Sequence, residues 1–280
     1  MNSALTEVAI GRAERVSDTL DLRQARLMQL TLDQPATYQK GDPLPPFWHY
    51  LYFNPQIQAC DLGVDGHEKL GRFIPDFGLP RRMWAGGNVT IEKPLRLGEE
   101  VEKTSTIRAI DEKNGRSGRL CFVTVDHDFA VAGEHRLRET QQIVYREAPA
   151  EGAKAPAGTP APDDATFSRT ITPDPVLLFR YSALIFYGHR IHYDADYTRT
   201  QEGYPGLVVH GPLVATLLVR LGLERLGERR LKSFDIRAMS PLFDTAPFTL
   251  EGRDTDDGAT LWARSPAGDL AMTVTLHAAP

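Results

Sequence analysis

Apolar and polar residues alternate in two long stretches of the chain, and each alternation predicts an antiparallel sheet. The first, "NVTIEKPLRLGEEVEKTSTIRAIDEKNGRSGRLCFVTVDHDF", bends at Pro94-Leu95, runs through a strand, turns at Asn114-Gly115 and alternates again. The second, "SFDIRAMSPLFDTAPFTLEGRDTDDGATLWARSPAGDLAMTVTL", has its corner at Pro241-Leu242 and a turn at Asp257-Gly258. The shared order of corner, strand and turn, with the corners 147 residues apart (241 − 94), indicates a duplicated unit.

Each meander is preceded by residues that favour a helix. In the second half, "GPLVATLLVRLGLERLGE" is apolar on nearly every face, which predicts a helix wrapped by a sheet. In the first half, "DTLDLRQARLMQLTLDQP" is a capped amphipathic helix that stops at Pro35, and "PPFWHYLYFN" is an aromatic-rich segment of the core. A buried helix with a curling antiparallel sheet is an α+β arrangement, and two such units predict a pseudo-dimer.

A stretch rich in Ala, Pro and Gly, "REAPAEGAKAPAGTPAPDDATFS", separates the two halves and is typical of a semi-extended linker. We therefore divide the chain into a first half at 1–146, a linker at 147–168 and a second half at 169–280. We expect the first half to be structural and to form one wall of a pocket, while the second half carries the chemistry.

Composition and charge limit the classes of partner that the protein is expected to bind. The chain has 280 residues, 41% of them hydrophobic and 25% charged, and a net charge of −5 without a run of Lys or Arg, so no nucleic-acid partner is expected. Cys60 and Cys121 have no metal-like spacing, which favours a reduced, cytoplasmic protein. No signal-like apolar region and no run near the length of a membrane span occurs, so no membrane partner is expected.

Titratable side chains are concentrated in "YGHRIHYDADY", Tyr187 to Tyr197. Downstream, "VVHGPL" places Gly211 and Pro212 at the start of the buried helix, where proline is well tolerated. A helix start exposes N–H groups and partial positive charge, which suit an oxygen that gains negative charge. With the imidazole of His192 nearby, these are the parts needed for acid/base chemistry beside a polarised carbonyl.

The stretch "FRYSALIFYGHRIHYDADYTRTQEGYPGLVVHGPLVATLL" resembles the hydratase segment of MaoC-like hot-dog proteins. It is most similar to the branch of type-2 hydroxyacyl-thioester dehydratases and mesaconyl-CoA or itaconyl-CoA hydratases, which carry "HRIHYD". "LPPFWHYLYF" and "GLPRRMWAGGNVTIEKPLRLGE" resemble the same branch. The resemblance implies a double hot-dog fold and reversible addition of water across the α,β double bond of an acyl-CoA thioester. It implies no separate cofactor, because coenzyme A is part of the substrate.

In this family an aspartate and a histidine hold the water, and a helix-start N–H binds the thioester carbonyl. The resemblance assigns these roles to His192 and Gly211, whereas the aspartate position holds Tyr187. A tyrosine with a pKa of about 10 is a poor base at neutral pH, so His192 is the better general base. Whether Tyr187, His189 or protonated His192 delivers the proton to C2 stays open, and His189 either supports the site or contacts substrate.

Several residues are candidate substrate contacts, each with a structural alternative. Arg190 suits a CoA phosphate or a second substrate carboxylate, or else it pairs with Asp194 or Asp196. Asp194 is otherwise a turn or cap residue, and His210 is otherwise a helix cap. "WAGGN" provides either close backbone packing or a wall of the acyl pocket. The predicted substrate-binding residues are His189, Arg190, His210, Trp84 and Gly86.

No metal site is expected, because the scattered histidines, including His49, His67, His127 and His135, form no recognisable ligand set. No dinucleotide, Walker or GxSxG motif occurs in a suitable context.

The predicted function is hydration of a short, dicarboxylic enoyl-CoA, and Arg81, Arg82 and Arg190 make such a substrate physically reasonable. One alternative is a 3-hydroxyacyl-thioester dehydratase of fatty-acid synthesis, and another is a non-catalytic acyl-CoA-binding hot-dog protein. Because duplicated hot-dog units pair within one chain, a monomer is sufficient, but a homodimer is also expected as an alternative because further dimerisation is common in such folds.

Overall fold

A single antiparallel sheet of ten strands forms the framework of the protein. The structure is a computed structural model that describes residues 8–115, 118–148 and 157–279. The strands are β1 (Ala13–Thr19), β2 (Arg81–Ile91), β3 (Glu100–Gly115), β4 (Gly118–Val131), β5 (Glu134–Arg146), β6 (Phe167–Ile171), β7 (Leu231–Ala238), β8 (Phe248–Thr255), β9 (Gly258–Arg264) and β10 (Leu270–Ala278). The helices are α1 (Leu22–Thr31), α2 (Pro175–Leu184), α3 (Ala195–Thr200), α4 (Gly211–Leu226) and short 3₁₀ helices at Trp48–Leu51, Ala59–Asp61 and Arg190–His192.

The strand order is the same in the two halves when each is read outward from the centre of the sheet. The full order is β1-β3-β4-β5-β2-β7-β10-β9-β8-β6, so β2 and β7 join the halves at the middle. Pro94 lies between β2 and β3, and Pro241 lies between β7 and β8, so both corners have the same topological place. The predicted duplication and the α+β double hot-dog arrangement are confirmed.

The helix α4 is the core of the second half. It begins at Gly211 with Pro212 in its first turn and ends before Gly227, which has φ 60°. Ten of its sixteen residues are buried, and it packs on β7, β8, β9 and β10, which confirms the predicted wrapped helix. Among the described residues, no helix combines the length and apolar character needed to cross a membrane.

The first half fills its core differently. Asp21 caps α1 by accepting from the N–H groups of Arg23 and Gln24, and the helix packs mainly on α2 and the 3₁₀ helix at Trp48–Leu51. The aromatic segment lies against the sheet instead, with the Phe53 and Phe129 ring centroids 5.3 Å apart. The predicted aromatic core segment is confirmed, but a long central helix like α4 has no counterpart among the described residues of this half.

One predicted turn differs from the structure, and the predicted linker lies partly outside the described residues. The turn predicted at Asn114-Gly115 is wrong, because these two residues still pair with Arg119 and Gly118 in the β3–β4 ladder; residues 116 and 117 lie outside the described residues. Residues 149–156 of the predicted linker also lie outside them, so the linker at 147–168 stays a prediction.

Candidate active site

A cleft of about 3350 Å³ runs along the junction of the two halves. The second half contributes Tyr187, His189 and His192 from the segment between α2 and α3, and Gly211 from the start of α4. The first half contributes Trp84 from β2. The predicted catalytic residues therefore line one cavity, and both halves enclose it.

His192 is held as a neutral imidazole with one nitrogen available. The side chain is 6% exposed, and its Nδ1 donates to the Val208 carbonyl oxygen over 2.7 Å. Because a carbonyl only accepts, the proton is on Nδ1 and the lone pair is on Nε2. Burial lowers the pKa of His192 to about 4, although the bond to Val208 opposes the shift. The ring is therefore a neutral proton acceptor at physiological pH.

His210 supports the ring of His192. The two imidazoles are stacked with centroids 3.7 Å apart, and His210 Nε2 hydrogen-bonds Ser182 Oγ over 2.8 Å. Burial lowers the pKa of His210 well below its usual value, so this ring is also neutral. His210 is the N-cap residue of α4 by position, and its carbonyl accepts from Val214 N–H, but its side chain makes no capping hydrogen bond.

The start of α4 faces Trp84. A Cβ built on Gly211 would lie 3.1 Å from Trp84 Cε3, so glycine lets the indole approach the helix start closely. The first N–H groups of a helix have no partner within it and are free to bind an oxygen in the cleft. Gly86, by contrast, packs against backbone and not against the cleft. It has φ 119°, and a Cβ there would overlap the carbonyl oxygen of Ile236. Its role is close packing of β2 on β7.

Arg190 bonds to a carboxylate of its own segment and to a backbone carbonyl of the first half, in place of the predicted contact with CoA or a substrate carboxylate. Its Nη2 donates to Asp194 Oδ2 over 2.7 Å, and its Nη1 donates to the Val64 carbonyl. Asp194 in turn caps α3 by accepting from Tyr197 N–H over 3.0 Å. The geometry therefore favours the structural alternative for both residues.

Tyr187 contacts a residue of the first half that the sequence did not single out as functional. Its hydroxyl hydrogen-bonds His67 Nε2, and His67 Nδ1 lies 3.2 Å from Asp65 Oδ2. The His67 ring also stacks on His189, with centroids 3.9 Å apart. A chain of hydrogen bonds thus leads from Asp65 through His67 to the position where the family places an aspartate.

The segment that carries Asp65 and His67, residues 61–69, is docked on the hydratase segment through backbone contacts. Arg190 N–H donates to the Asp65 carbonyl over 2.8 Å. Gly66 has φ 82°, and a Cβ there would overlap the carbonyl oxygen of Gly188. His67 is 120 positions from Tyr187, and no spacing pattern in the sequence joins them.

Burial dominates the electrostatics of this group. It raises the pKa of Tyr187 to about 12, with the nearby charge of Arg82 opposing the shift. It lowers the pKa of His67 and lowers that of His189 to about 2, so both rings are neutral. Burial alone would raise the pKa of Asp65, but the hydrogen bonds from His67 outweigh it and hold this pKa well below its usual range.

Asp65, His67 and His189 also offer one ligand atom each within 4.8 Å of one another. Such a mixed imidazole and carboxylate set suits a transition-metal ion. Both nitrogens of His67 are, however, already used by the hydrogen bonds to Asp65 and Tyr187. The sequence did not predict that these side chains would meet.

The arginines named from the sequence differ in their partners. Arg81 forms an ion pair with Glu202, with 2.6 Å between Nη1 and Oε2. Arg82 lies opposite Tyr145 in the β2–β5 ladder and lines the cleft, and within the described ranges no carboxylate forms an ion pair with it. Its charge lowers the pKa of Tyr187, His67 and His189, so it lies within electrostatic reach of the catalytic group.

Residues 47–244 match the family model of the hydroxyacyl-thioester dehydratases type 2. The chain belongs to this family. It is 45% identical, over 99% of each chain, to a mesaconyl-C(4)-CoA hydratase of Chloroflexus aurantiacus. The crystal structure of HtdX from Mycobacterium tuberculosis matches with a TM-score of 0.67 at 18% identity, covering 94% of this chain and 98% of that one.

A second Mycobacterium tuberculosis protein, with a double hot-dog fold, matches with a TM-score of 0.56 at 11% identity and covers 96% of each chain. These two structural likenesses show the fold. Membership in the dehydratase family makes the chain a hydro-lyase of acyl thioesters, and the non-catalytic alternative is not supported.

Proposed function

We propose that the chain adds water reversibly to a short enoyl-CoA thioester whose acyl group carries a free carboxylate, of the mesaconyl-CoA or itaconyl-CoA type. The observation that carries the proposal is Arg82, a half-buried cation in the cleft without a carboxylate partner among the described residues. A planar guanidinium binds a carboxylate through two parallel hydrogen bonds. The relative of 45% identity, a mesaconyl-C(4)-CoA hydratase, supports the same class of substrate.

The proposed mechanism uses side chains and one backbone donor. The thioester carbonyl oxygen accepts from the N–H of Gly211, which polarises the conjugated double bond. His192 Nε2 takes a proton from water as the water oxygen bonds to C3, and the electron pair of the double bond moves toward the thioester as an enolate. The imidazolium then returns this proton to C2, which leaves the 3-hydroxy ester and a neutral His192.

No separate cofactor takes part in this scheme, since coenzyme A is the carrier of the acyl group. We also propose a cytoplasmic location, which the two free cysteines, Cys60 and Cys121, support. Homodimer formation is a further proposal, and light scattering after size-exclusion chromatography tests it.

Loss of the ultraviolet absorbance of the conjugated thioester tests the function. The purified protein is assayed with mesaconyl-CoA, itaconyl-CoA, crotonyl-CoA and a medium-chain enoyl-CoA, beside a His192→Gln variant. We expect turnover of a dicarboxylic ester with kcat/KM at least about tenfold above crotonyl-CoA, and a loss of about 10²- to 10⁴-fold in kcat in the variant. Turnover of crotonyl and longer esters alone would assign the chain to fatty-acid synthesis instead.

A further inference from the structure

The segment at 61–69 belongs to the first half but reaches the catalytic residues of the second. We propose that Asp65 and His67 are positioning residues that turn the Tyr187 hydroxyl into a hydrogen-bond acceptor for the attacking water. In this way a tyrosine performs the water-holding task for which a carboxylate was expected.

The direction of the hydrogen bonds follows from what each atom can donate. Asp65 Oδ2 is a carboxylate oxygen and only accepts, so the proton of His67 is on Nδ1, 3.2 Å away. A neutral His67 then has its lone pair on Nε2, which must accept from the hydroxyl of Tyr187. Once the single hydroxyl proton points at His67, the lone pairs of the Tyr187 oxygen are left for another donor.

That donor is the water from which His192 takes a proton. The Tyr187 and His192 rings lie 5.7 Å apart between centroids, and both line the cleft. A water that donates one proton to Tyr187 and the other to His192 Nε2 has its oxygen lone pair free for C3. No proton moves along Asp65 and His67 in this arrangement; they fix orientation, and the proton balance of the hydration stays with His192.

Further hydrogen bonds hold the segment at 61–69 in a turn. Asp65 Oδ1 accepts from the backbone N–H of His67 over 3.0 Å, so both carboxylate oxygens hold the same residue. Gly63 N–H donates to the His67 carbonyl over 2.6 Å, which closes the turn around Gly66. The tautomer of His67 is therefore set by hydrogen bonds within this turn.

Asp65→Asn is the sharpest single change, because it is nearly isosteric. The asparagine oxygen still accepts from the backbone, while its NH₂ group donates to His67 Nδ1 and moves the ring proton to Nε2. Tyr187 then accepts from His67 and offers its own proton to the water, which is the wrong direction. We expect kcat to fall about 10- to 100-fold with KM changed less than about threefold and the melting temperature nearly unchanged.

A double-variant cycle and a rescue complete the test. We expect Tyr187→Phe and His67→Leu each to lower kcat, and the double variant to be no worse than Tyr187→Phe alone, because both remove one unit. His67→Gln keeps an acceptor oxygen near Nε2 and should be about tenfold more active than His67→Leu. His135→Leu, a histidine on the first-half sheet outside the cleft, is the control and should keep the wild-type kcat.

The inference rests on the proposed function only for its assay, since any enoyl-CoA that the wild type hydrates serves as substrate. A chain inactive on every ester overturns the proposed function, whereas an active chain that tolerates Asp65→Asn overturns the positioning role. Additive losses in the cycle overturn it as well. Activity abolished by a chelator and restored by Zn²⁺ would assign Asp65, His67 and His189 to a metal centre instead.

Discussion

At the scale of single residues, burial decides what the histidines of this site can do. His192, His210 and His189 are all held neutral, but only His192 combines a fixed Nδ1 proton with a place in the cleft beside the helix start. The Nε2 of His210 is hydrogen-bonded to Ser182, and the His189 ring stacks on His67. The same residue type therefore supplies one base and two supports.

The pKa of His192, about 4, predicts the pH profile of the reaction. The neutral ring is the active form, so kcat/KM should stay flat from about pH 8 down to pH 5 and fall only as the pH approaches 4. Initial rates after a rapid pH jump measure this limb while the fold persists. An acid limb centred near pH 6.5, the ordinary value of histidine, would contradict the assignment.

Arg82→Gln tests the substrate preference. We expect KM for the dicarboxylic ester to rise about 10- to 100-fold, because a charge-assisted bidentate contact is lost, while crotonyl-CoA turnover stays within about threefold. Steady-state rates on both esters measure the split.

Lys103→Gln is the matched control, since Lys103 is another half-buried cation lining the cleft, beside the Phe53 ring. If this variant rather than Arg82→Gln removed the preference, the substrate carboxylate would bind beside Lys103 and not beside Arg82.

Sequence reasoning found residues whose roles depend on local context and missed those that depend on long-range contacts. His192 and Gly211 were identified because a motif and a helix start mark them locally. Asp65 and His67 carry no such signal, because their partner Tyr187 becomes a neighbour only when the two halves assemble. Arg190 is the opposite case, since its partner Asp194 lies only four residues away and the sequence alone indicates this pairing.

At the scale of elements, the segment at 61–69 and the start of α4 hold the two sides of the site. The position of α4 could be predicted because its sixteen mostly apolar residues begin with a glycine and a proline. The docking of residues 61–69 could not be predicted, because it depends on a close backbone contact between Gly66 and Gly188. Neither hydrophobic alternation nor secondary-structure propensity indicates such a contact.

Gly66→Ala tests whether this docking matters for catalysis. The added Cβ would overlap the Gly188 carbonyl oxygen, so the segment must move away from Tyr187, and we expect kcat to fall at least about tenfold. Gly133→Ala is the matched control, because Gly133 has φ 80°, close to the 82° of Gly66, but nothing within 4 Å of the built Cβ. Both variants should lose about 1–2 kcal/mol of stability from the positive φ; equal kcat values would refute the role of the docking.

At the scale of the whole molecule, the two duplicated halves form opposite walls of one cleft and contribute different residues to it. The half that kept the long helix α4 supplies the base and the carbonyl site, while the half with an aromatic segment supplies Trp84, Arg82 and His67. The pairing of β2 with β7 fixes these walls relative to each other. The double sheet was predictable from the repeated corners, but which first-half residues face the site was not.

The buried histidines make the stability of the molecule depend on pH. Because the folded pKa values of His192, His210 and His189 are depressed, their contribution is fully present above about pH 6.5 and is lost as the pH falls toward the folded values. The pKa of His277 is raised by Asp257 despite partial burial, so it acts in the opposite sense, but it is partly exposed and weaker. Each ring contributes about 2 kcal/mol over the 1.5 pH units between 6.5 and 5.0, so we expect the free energy of unfolding to fall by about 4–6 kcal/mol from pH 7.5 to 5.0.

Urea unfolding at the two pH values measures this difference. His277→Gln removes the opposing contribution and should widen it slightly. A free energy of unfolding that is equal at both pH values, or higher at pH 5.0, would show that these rings are not neutral in the folded protein.

A crystal structure of the His192→Gln variant with a dicarboxylic enoyl-CoA bound would test directly where the thioester and the substrate carboxylate bind. We expect the thioester oxygen within about 2.7–3.2 Å of the Gly211 nitrogen, the free carboxylate paired with Arg82, and C3 facing the side chain at position 192. A thioester bound away from the start of α4, or a carboxylate directed away from Arg82 toward Lys103, would contradict this expectation.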